Sequence, residues 1–282
     1  MFQPSRDRDA YAAIRGYVYQ IYLTIDRWLR LDDCQALELE RGEDIDLVGS
    51  LCCARESGTE VDTRLLGQVK YRDVNITLRT PAAVEGLASF HDHLQSNSQS
   101  DLRFCFLTNA VAGREQFSPL SPRLPGIALW QQIRARALDD EQIATAVGQL
   151  QRFLRQIVKP ATMPGAIWDG WVAYLTTSSE DEFLRFIDRF EWSTGQPDAE
   201  RFPFDLENAI VERSLAPDAT EAKAVLERFF LHVARLLSSP GTKCLRVSDR
   251  TDLLAQPTLP AKDREQLRRL QAVVEGHTAR LD

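Results

Sequence analysis

The chain opens on apolar positions that return every three or four residues. In AYAAIRGYVYQIYLTIDRWLR (residues 10–30), Ile14, Val18, Ile21, Ile25, Trp28 and Leu29 fall along one stripe. That spacing predicts a long helix with Asp9 as its N-cap and Gly16 inside it, where a small residue suits close packing. The period then changes from that of a helix to that of a strand. ALELE alternates, IDLVGSLCCA predicts a strand over residues 45–53, RESGTEVDT is a polar turn region, and RLLGQVKYR returns as a second strand. TPAAVEGLASFHDHLQS predicts a helix with Thr80 as cap and Pro81 at the first helical position. LRFCFLTNA is a continuous apolar run, the pattern of a strand buried on both faces. Helix, three-stranded meander, crossover helix and strand together predict an α/β core with a mixed sheet flanked by helices.

The Pro-rich stretch FSPLSPRLPG, starting at Phe117, marks a boundary and predicts two domains, 1–117 and 118–282. Beyond it the pattern is mainly helical. DDEQIATAVGQLQRFLRQIV and SSEDEFLRFIDRFEW each begin with Asp or Ser caps, and TEAKAVLERFFLHVARLL is the most amphipathic segment. AKDREQLRRLQAVVEGHTARLD predicts a charged terminal helix with no closing element after it, as expected of a piece of something longer.

Composition adds limits. Of 282 residues, 44% are hydrophobic and 27% charged, ordinary for a globular protein, and no apolar run approaches the ~20 residues that span a bilayer. The N-terminus is too polar for a secretory signal, so a cytoplasmic location is expected. Cys34, Cys52, Cys53, Cys105 and Cys244 form neither a CxxC nor a cysteine–histidine zinc spacing, and buried free thiols are expected. Net charge is −7, which by itself disfavours a polyanionic partner. Residues 1–125 hold 14 Lys/Arg and 18 Asp/Glu, and residues 38–46 alone account for that net of −4. A divalent cation there would leave the rest of this half neutral toward a polyanion.

The acidic cluster Glu38, Glu40, Glu43, Asp44 and Asp46 is followed, across the hairpin, by Gln68-Val69-Lys70. Strand alternation puts Asp44 and Asp46 on one face, Gln68 and Lys70 on one face, and Val69 on the packed side. A carboxylate pair thus stands opposite an amide–ammonium pair, the equipment of a Mg²⁺-dependent phosphodiesterase. Asp46, with Asp44 or Glu43, would bind the hard cation, and the Gln68 side-chain oxygen and Val69 carbonyl would complete its shell. Lys70 would orient the attacking water or neutralise the phosphate. A solvated acidic edge, with Lys70 in a surface ion pair to Asp44 or Asp73, is the plainer alternative.

In this order and spacing the residues resemble the PD-(D/E)XK nuclease superfamily in its Gln-x-Lys variant, as in Mrr-type restriction endonucleases. The similarity is closer to the double-stranded-DNA nuclease domain of bacterial antiphage systems that signal with cyclic oligonucleotides. It rests on GYVYQ at 16–20, EDIDLV at 43–48, GQVKYRD at 67–73 and FCFLTNA at 104–110, and covers roughly residues 8–117. The resemblance implies a restriction-endonuclease-like sheet with Asp46, Gln68 and Lys70 at the catalytic positions. Glu43 or Asp44 would be the auxiliary acid and Gln20 a supporting residue from the first helix. Which aspartate leads is left open. It further implies Mg²⁺ or Mn²⁺ as cofactor, double-stranded DNA as substrate, a role in defence, and a homo-oligomer or a sensor or NTPase partner, fused or separate. Arg15, Arg72 and Arg79 are candidate phosphate contacts. The competing readings are a catalytically silent interaction module and an RNase.

The remaining motifs exclude other chemistry. His91 and His93, two apart on a helix, face different directions and are not expected to share an ion. No Ser-His-Asp set can be assembled, and neither GxxxxGK[ST] nor GxGxxG occurs.

Overall fold

The computed structural model describes residues 11–49, 63–115 and 124–255. Asp9, the hairpin tip with Cys52 and Cys53, and the expected terminal helix lie outside them. The described elements are, in order, α1 (Tyr11–Leu29), β1 (Gln35–Leu39), β2 (Ile45–Gly49), β3 (Thr63–Lys70), α2 (Pro81–Ser96) and β4 (Asp101–Thr108). They continue as α3 (Gly126–Arg134), α4 (Asp140–Leu154), α5 (Gly165–Thr177), α6 (Glu180–Arg189) and β5 (Phe190–Ser193). The last are α7 (Phe202–Glu212), α8 (Ala219–Ser238), β6 (Cys244–Leu245) and α9 (Val247–Ala255). The fold is α/β with mixed strand pairing, as the patterning predicts.

The chain divides into two compact units, and the expected boundary at residue 117 is not where it divides. One unit is Leu39–Gln196; the other joins the chain up to Glu38 with everything from Pro197 onward. The reason lies in β5. Phe190 and Trp192 are buried while Glu191 and Ser193 are half-exposed, and this short strand pairs parallel to β4, with Phe104 opposite Phe190. The segment after the Pro-rich stretch therefore completes the same sheet and core. Helical periodicity predicts a helix through FEW; α6 instead ends at Arg189 and the alternation of a strand takes over.

Within Leu39–Gln196 the strands run in the order β5-β4-β3-β2. β2 and β3 are antiparallel, with Ile45 opposite Gly67 and Asp46 opposite Leu66; β3 and β4 are parallel, with Gln68 opposite Phe106. β4 has α2 and α6 packed on it, and its apolar residues Leu102, Phe104, Cys105, Phe106 and Leu107 are all buried, while Arg103 is exposed. The core on one side gathers Phe90, Phe104, Trp130, Phe186 and Phe190 with α2 to α6. Phe104 and Phe190 stack at 4.7 Å, and the Trp130 indole N–H donates to the Phe190 carbonyl. Helix starts follow their caps. Asp139 and Ser179 each form a capping box with Gln142 and Glu182. Thr80 is the N-cap of α2, but its hydroxyl accepts from the Thr77 N–H instead of capping the helix; Pro81, which has no N–H to satisfy, starts the turn.

The other unit is built on α1, α7, α8 and α9. Val18, Ile21, Ile25, Trp28 and Leu29 of α1 are buried, and Trp28 packs on Phe229 at 5.0 Å. Arg250 donates to the carbonyls of Trp28 and Leu29, closing the open C-terminal end of α1. Tyr17 donates to the Ala234 carbonyl and Tyr22 stacks on Phe202, so these rings serve packing. Gly16 does not mark a close approach: a Cβ built there meets nothing within 4 Å. β1 and β6 form a short antiparallel pair, with Leu37 opposite Leu245. Among the described residues, no helix is long and apolar enough to cross a membrane.

Candidate functional site

The turn entering β2 shapes the acidic edge. Glu40 adopts a left-handed conformation (φ 54°), and its N–H donates to the Asp44 carbonyl. Gly42 follows, and only glycine fits: a Cβ there would lie 2.8 Å from Asp46 Oδ2. Asp46 reaches back into this turn. Its Oδ2 accepts from the Gly42 N–H at 2.8 Å, its Oδ1 from the Glu43 N–H at 3.1 Å, and Arg64 Nη1 lies 3.2 Å from Oδ2. The carboxylate is fully buried; burial pushes its pKa up, opposed by the two amide bonds and Arg64.

Asp44 behaves differently. It precedes β2, one residue before Ile45, which stands opposite Gly67, and its Oδ2 accepts from the Val69 N–H at 2.7 Å. Burial pushes its pKa up; the Val69 bond and the nearby Lys70 charge pull it down, while Glu43 and Glu40 push it up. The expected face is therefore corrected. Asp44 and Asp46 do not present a carboxylate pair to Gln68 and Lys70, because Asp46 is drawn onto the turn and Asp44 onto the β3 backbone.

Glu43 bridges the strand to α2. Its Oε2 accepts from Gln68 Nε2 at 3.2 Å, and its Oε1 lies 3.4 Å from His93 Nε2. His93 is a site neighbour that sequence reasoning missed. Its pKa is raised, first by the bond to Glu43 and further by the charges of Glu43, Asp46 and Asp92, against burial. A signal existed, since His93 stands seven residues after Gly86, on the same face of α2. Gly86 lies against Gln68: a Cβ there would be 2.9 Å from Gln68 Oε1, and that buried oxygen has no hydrogen-bond partner among the described residues. Lys70 ends β3, half-buried.

The candidate phosphate contacts Arg15, Arg72 and Arg79 stand apart from one another along the chain. Arg79 lies over the Phe153 ring at 4.9 Å. Arg72 is held by its backbone, its N–H donating to Asn109 Oδ1 and its carbonyl accepting from Asn109 Nδ2, both at 2.8 Å. Gln20 and Arg15 stand on α1, in the other unit, and the Gln20 carbonyl accepts from the Thr24 hydroxyl.

Among the described residues, no three His, Cys, Asp or Glu side chains gather into a group that could hold a metal ion. A site here would take the sparser form usual for Mg²⁺, with one or two carboxylates and the rest amide, carbonyl, water and substrate oxygens. Asp44, Glu43 and the partnerless Gln68 oxygen fit such a set, provided the Gln68 amide turns over so that its oxygen replaces its nitrogen beside Glu43. In an antiparallel ladder a residue's N–H and C=O face the same neighbour, so the Val69 carbonyl lies on the Asp44 side as well.

No protein-family model matches the chain, and no curated protein matches it in sequence. Among solved structures, a Cap4 SAVED/CARF-domain containing receptor from Moraxella osloensis superposes with a TM-score of 0.48 at 16% identity, covering 85% of this chain. The chain spans 46% of that receptor's length.

Proposed function

We propose that this chain is the nuclease module of an antiphage defence protein, hydrolysing DNA phosphodiester bonds with Mg²⁺ or Mn²⁺. The observation that carries the reading is the half-buried Asp44 carboxylate, seated on the Val69 N–H at 2.7 Å within the influence of Lys70. Asp44 and Glu43 would hold the ion, with the Gln68 oxygen and Val69 carbonyl completing the protein's share. When bound, the ion supplies positive charge at the phosphate and acidifies a water. Lys70 adds a mobile ammonium for the charge that builds on the phosphate oxygens. Asp44 is the leading aspartate in this reading, while Asp46 fixes the turn that presents Glu43. Double-stranded DNA, the defence setting and a sensor, NTPase or homo-oligomeric partner follow from the resemblance of the four quoted stretches. The competing readings are a silent nuclease-like module and an RNase.

Plasmid cleavage with Mg²⁺ or Mn²⁺ tests this, comparing wild type with Lys70→Ala, Asp44→Asn and Asp46→Asn, each also melted thermally. Lys70→Ala and Asp44→Asn should lose about 100-fold in rate with the fold intact, whereas Asp46→Asn should lower the melting temperature. Wild type that leaves plasmid and RNA whole, with either metal and at assembling concentrations, would support the silent module. Cutting of RNA alone would make it an RNase. Equal rates in all four proteins would overturn the site.

A further inference from the structure

No residue of the acidic edge lines the cleft of about 300 Å³ where α2, α5 and α6 meet. Its wall is aromatic. The His91 ring stacks on Tyr174 at 4.6 Å, Tyr174 lies 5.7 Å from Phe186, and the Tyr174 hydroxyl donates to the Glu182 carbonyl, which fixes the ring. His91 is buried, and burial pushes its pKa down, so it adds an aromatic surface and no charge at neutral pH. The rim is basic. Arg185 and Arg189 stand one turn apart on α6, both exposed, and Arg189 makes no ion pair among the described residues. The acid at the rim, Glu182, is turned to its own helix: its Oε2 accepts from the Ser179 N–H at 2.8 Å and hydroxyl at 3.1 Å.

A rigid aromatic wall beside two guanidinium groups matches the two parts of a nucleotide. Bases pack on aromatic rings, and arginine forks bind phosphate oxygens. The volume is at the small end of ligand sites, enough for one nucleotide and too small for a duplex. We infer that this cleft is a nucleotide-binding site, with the base against the Tyr174–His91 wall and the phosphate on Arg185 and Arg189. The ligand is either a free nucleotide or one nucleotide of a single strand. The site goes beyond the proposed hydrolysis and does not rest on it.

The test is fluorescence anisotropy of a labelled oligodeoxythymidine with the whole chain, in EDTA, across a salt series. The doubly substituted Arg185→Gln, Arg189→Gln protein should bind about ten-fold more weakly, the loss of one good charged contact or more. Its salt dependence should be shallower by about 1.4 log units per log unit, the single-strand value for two lost phosphate contacts. Ser98→Glu, which puts a negative charge on the exposed rim, should weaken binding in the same direction. Thymidine monophosphate competing as well as the strand identifies a free nucleotide; competition by longer strands alone identifies the strand. Unchanged affinity and salt slope in both folded variants, or no binding of either probe, overturns the site. Because EDTA removes hydrolysis, that failure is distinct from a failure of the nuclease reading.

Discussion

Asp44 and Asp46 stand two residues apart, and their surroundings give them separate tasks. A buried carboxylate costs several kcal/mol unless it is paired and hydrogen-bonded. Asp46 has two backbone amides and a guanidinium, each worth about 1.5–3 kcal/mol to a charged acceptor, so its burial is offset inside the protein. Asp44 accepts from Val69 and stands among the charges of Lys70, Glu43 and Glu40, and in the proposed function it is the acid that would meet the cation. His93 carries a prediction at this scale. Its folded pKa is raised above the ordinary ~6.5 by Glu43, so its contribution is fully present below that value and is lost as pH rises through the folded value. Urea unfolding should show His93→Gln less stable than wild type at pH 5, by about 0.5–1 kcal/mol for a half-exposed pair, with the difference closing as pH rises through the folded value. A difference constant with pH would mean the pair contributes nothing as a pair. The acid, Gln-Val-Lys order and the hairpin were legible in the sequence. The turn-facing role of Asp46 was not, because it depends on a left-handed Glu40 and a glycine at 42, which alternation along a strand does not encode.

Glycines separate the elements that tolerate a side chain from those that do not. At Gly67 a Cβ would lie 2.6 Å from the Ile45 carbonyl oxygen, a backbone atom of the paired strand. Gly67→Ala should therefore push β2 from β3 and cost about 2–4 kcal/mol, while Gly16→Ala, with open space inside α1, should gain about 0.5–1 kcal/mol. Urea midpoints of the two variants check this; equal shifts would contradict the strand geometry. The long elements were legible because period and punctuation agree in them. α1, α4, α6 and α8 have sustained apolar stripes, and Asp139, Ser179 and Asp218 sit as caps before the last three. β5 and β6 were not legible. They have four and two residues, too few to show a period, and they exist because a neighbouring strand completes them.

At the scale of the molecule, Leu39–Gln196 carries its own strands, its own aromatic core and Glu43, Asp44, Asp46, Gln68 and Lys70 of the candidate site. Expressed alone, residues 39–196 should unfold in one cooperative urea transition with β5 in place; a non-cooperative or aggregated product would show that the unit needs the rest of the chain. A boundary at 117 was legible as Pro-rich punctuation, but whether a chain returns to its earlier sheet is a long-range pairing that local composition does not record. The discontinuous unit has a further consequence during synthesis. α1 emerges well before α7 and α8, on which its apolar stripe packs and which begin roughly 170 residues after it ends. At ~5–20 residues per second, Val18, Ile21, Ile25 and Trp28 wait about 10–35 s for their partners while a whole unit is made between them. During synthesis α1 is thus a natural client for a chaperone that binds short apolar helices, and its exposure ends only when α7 and α8 are made.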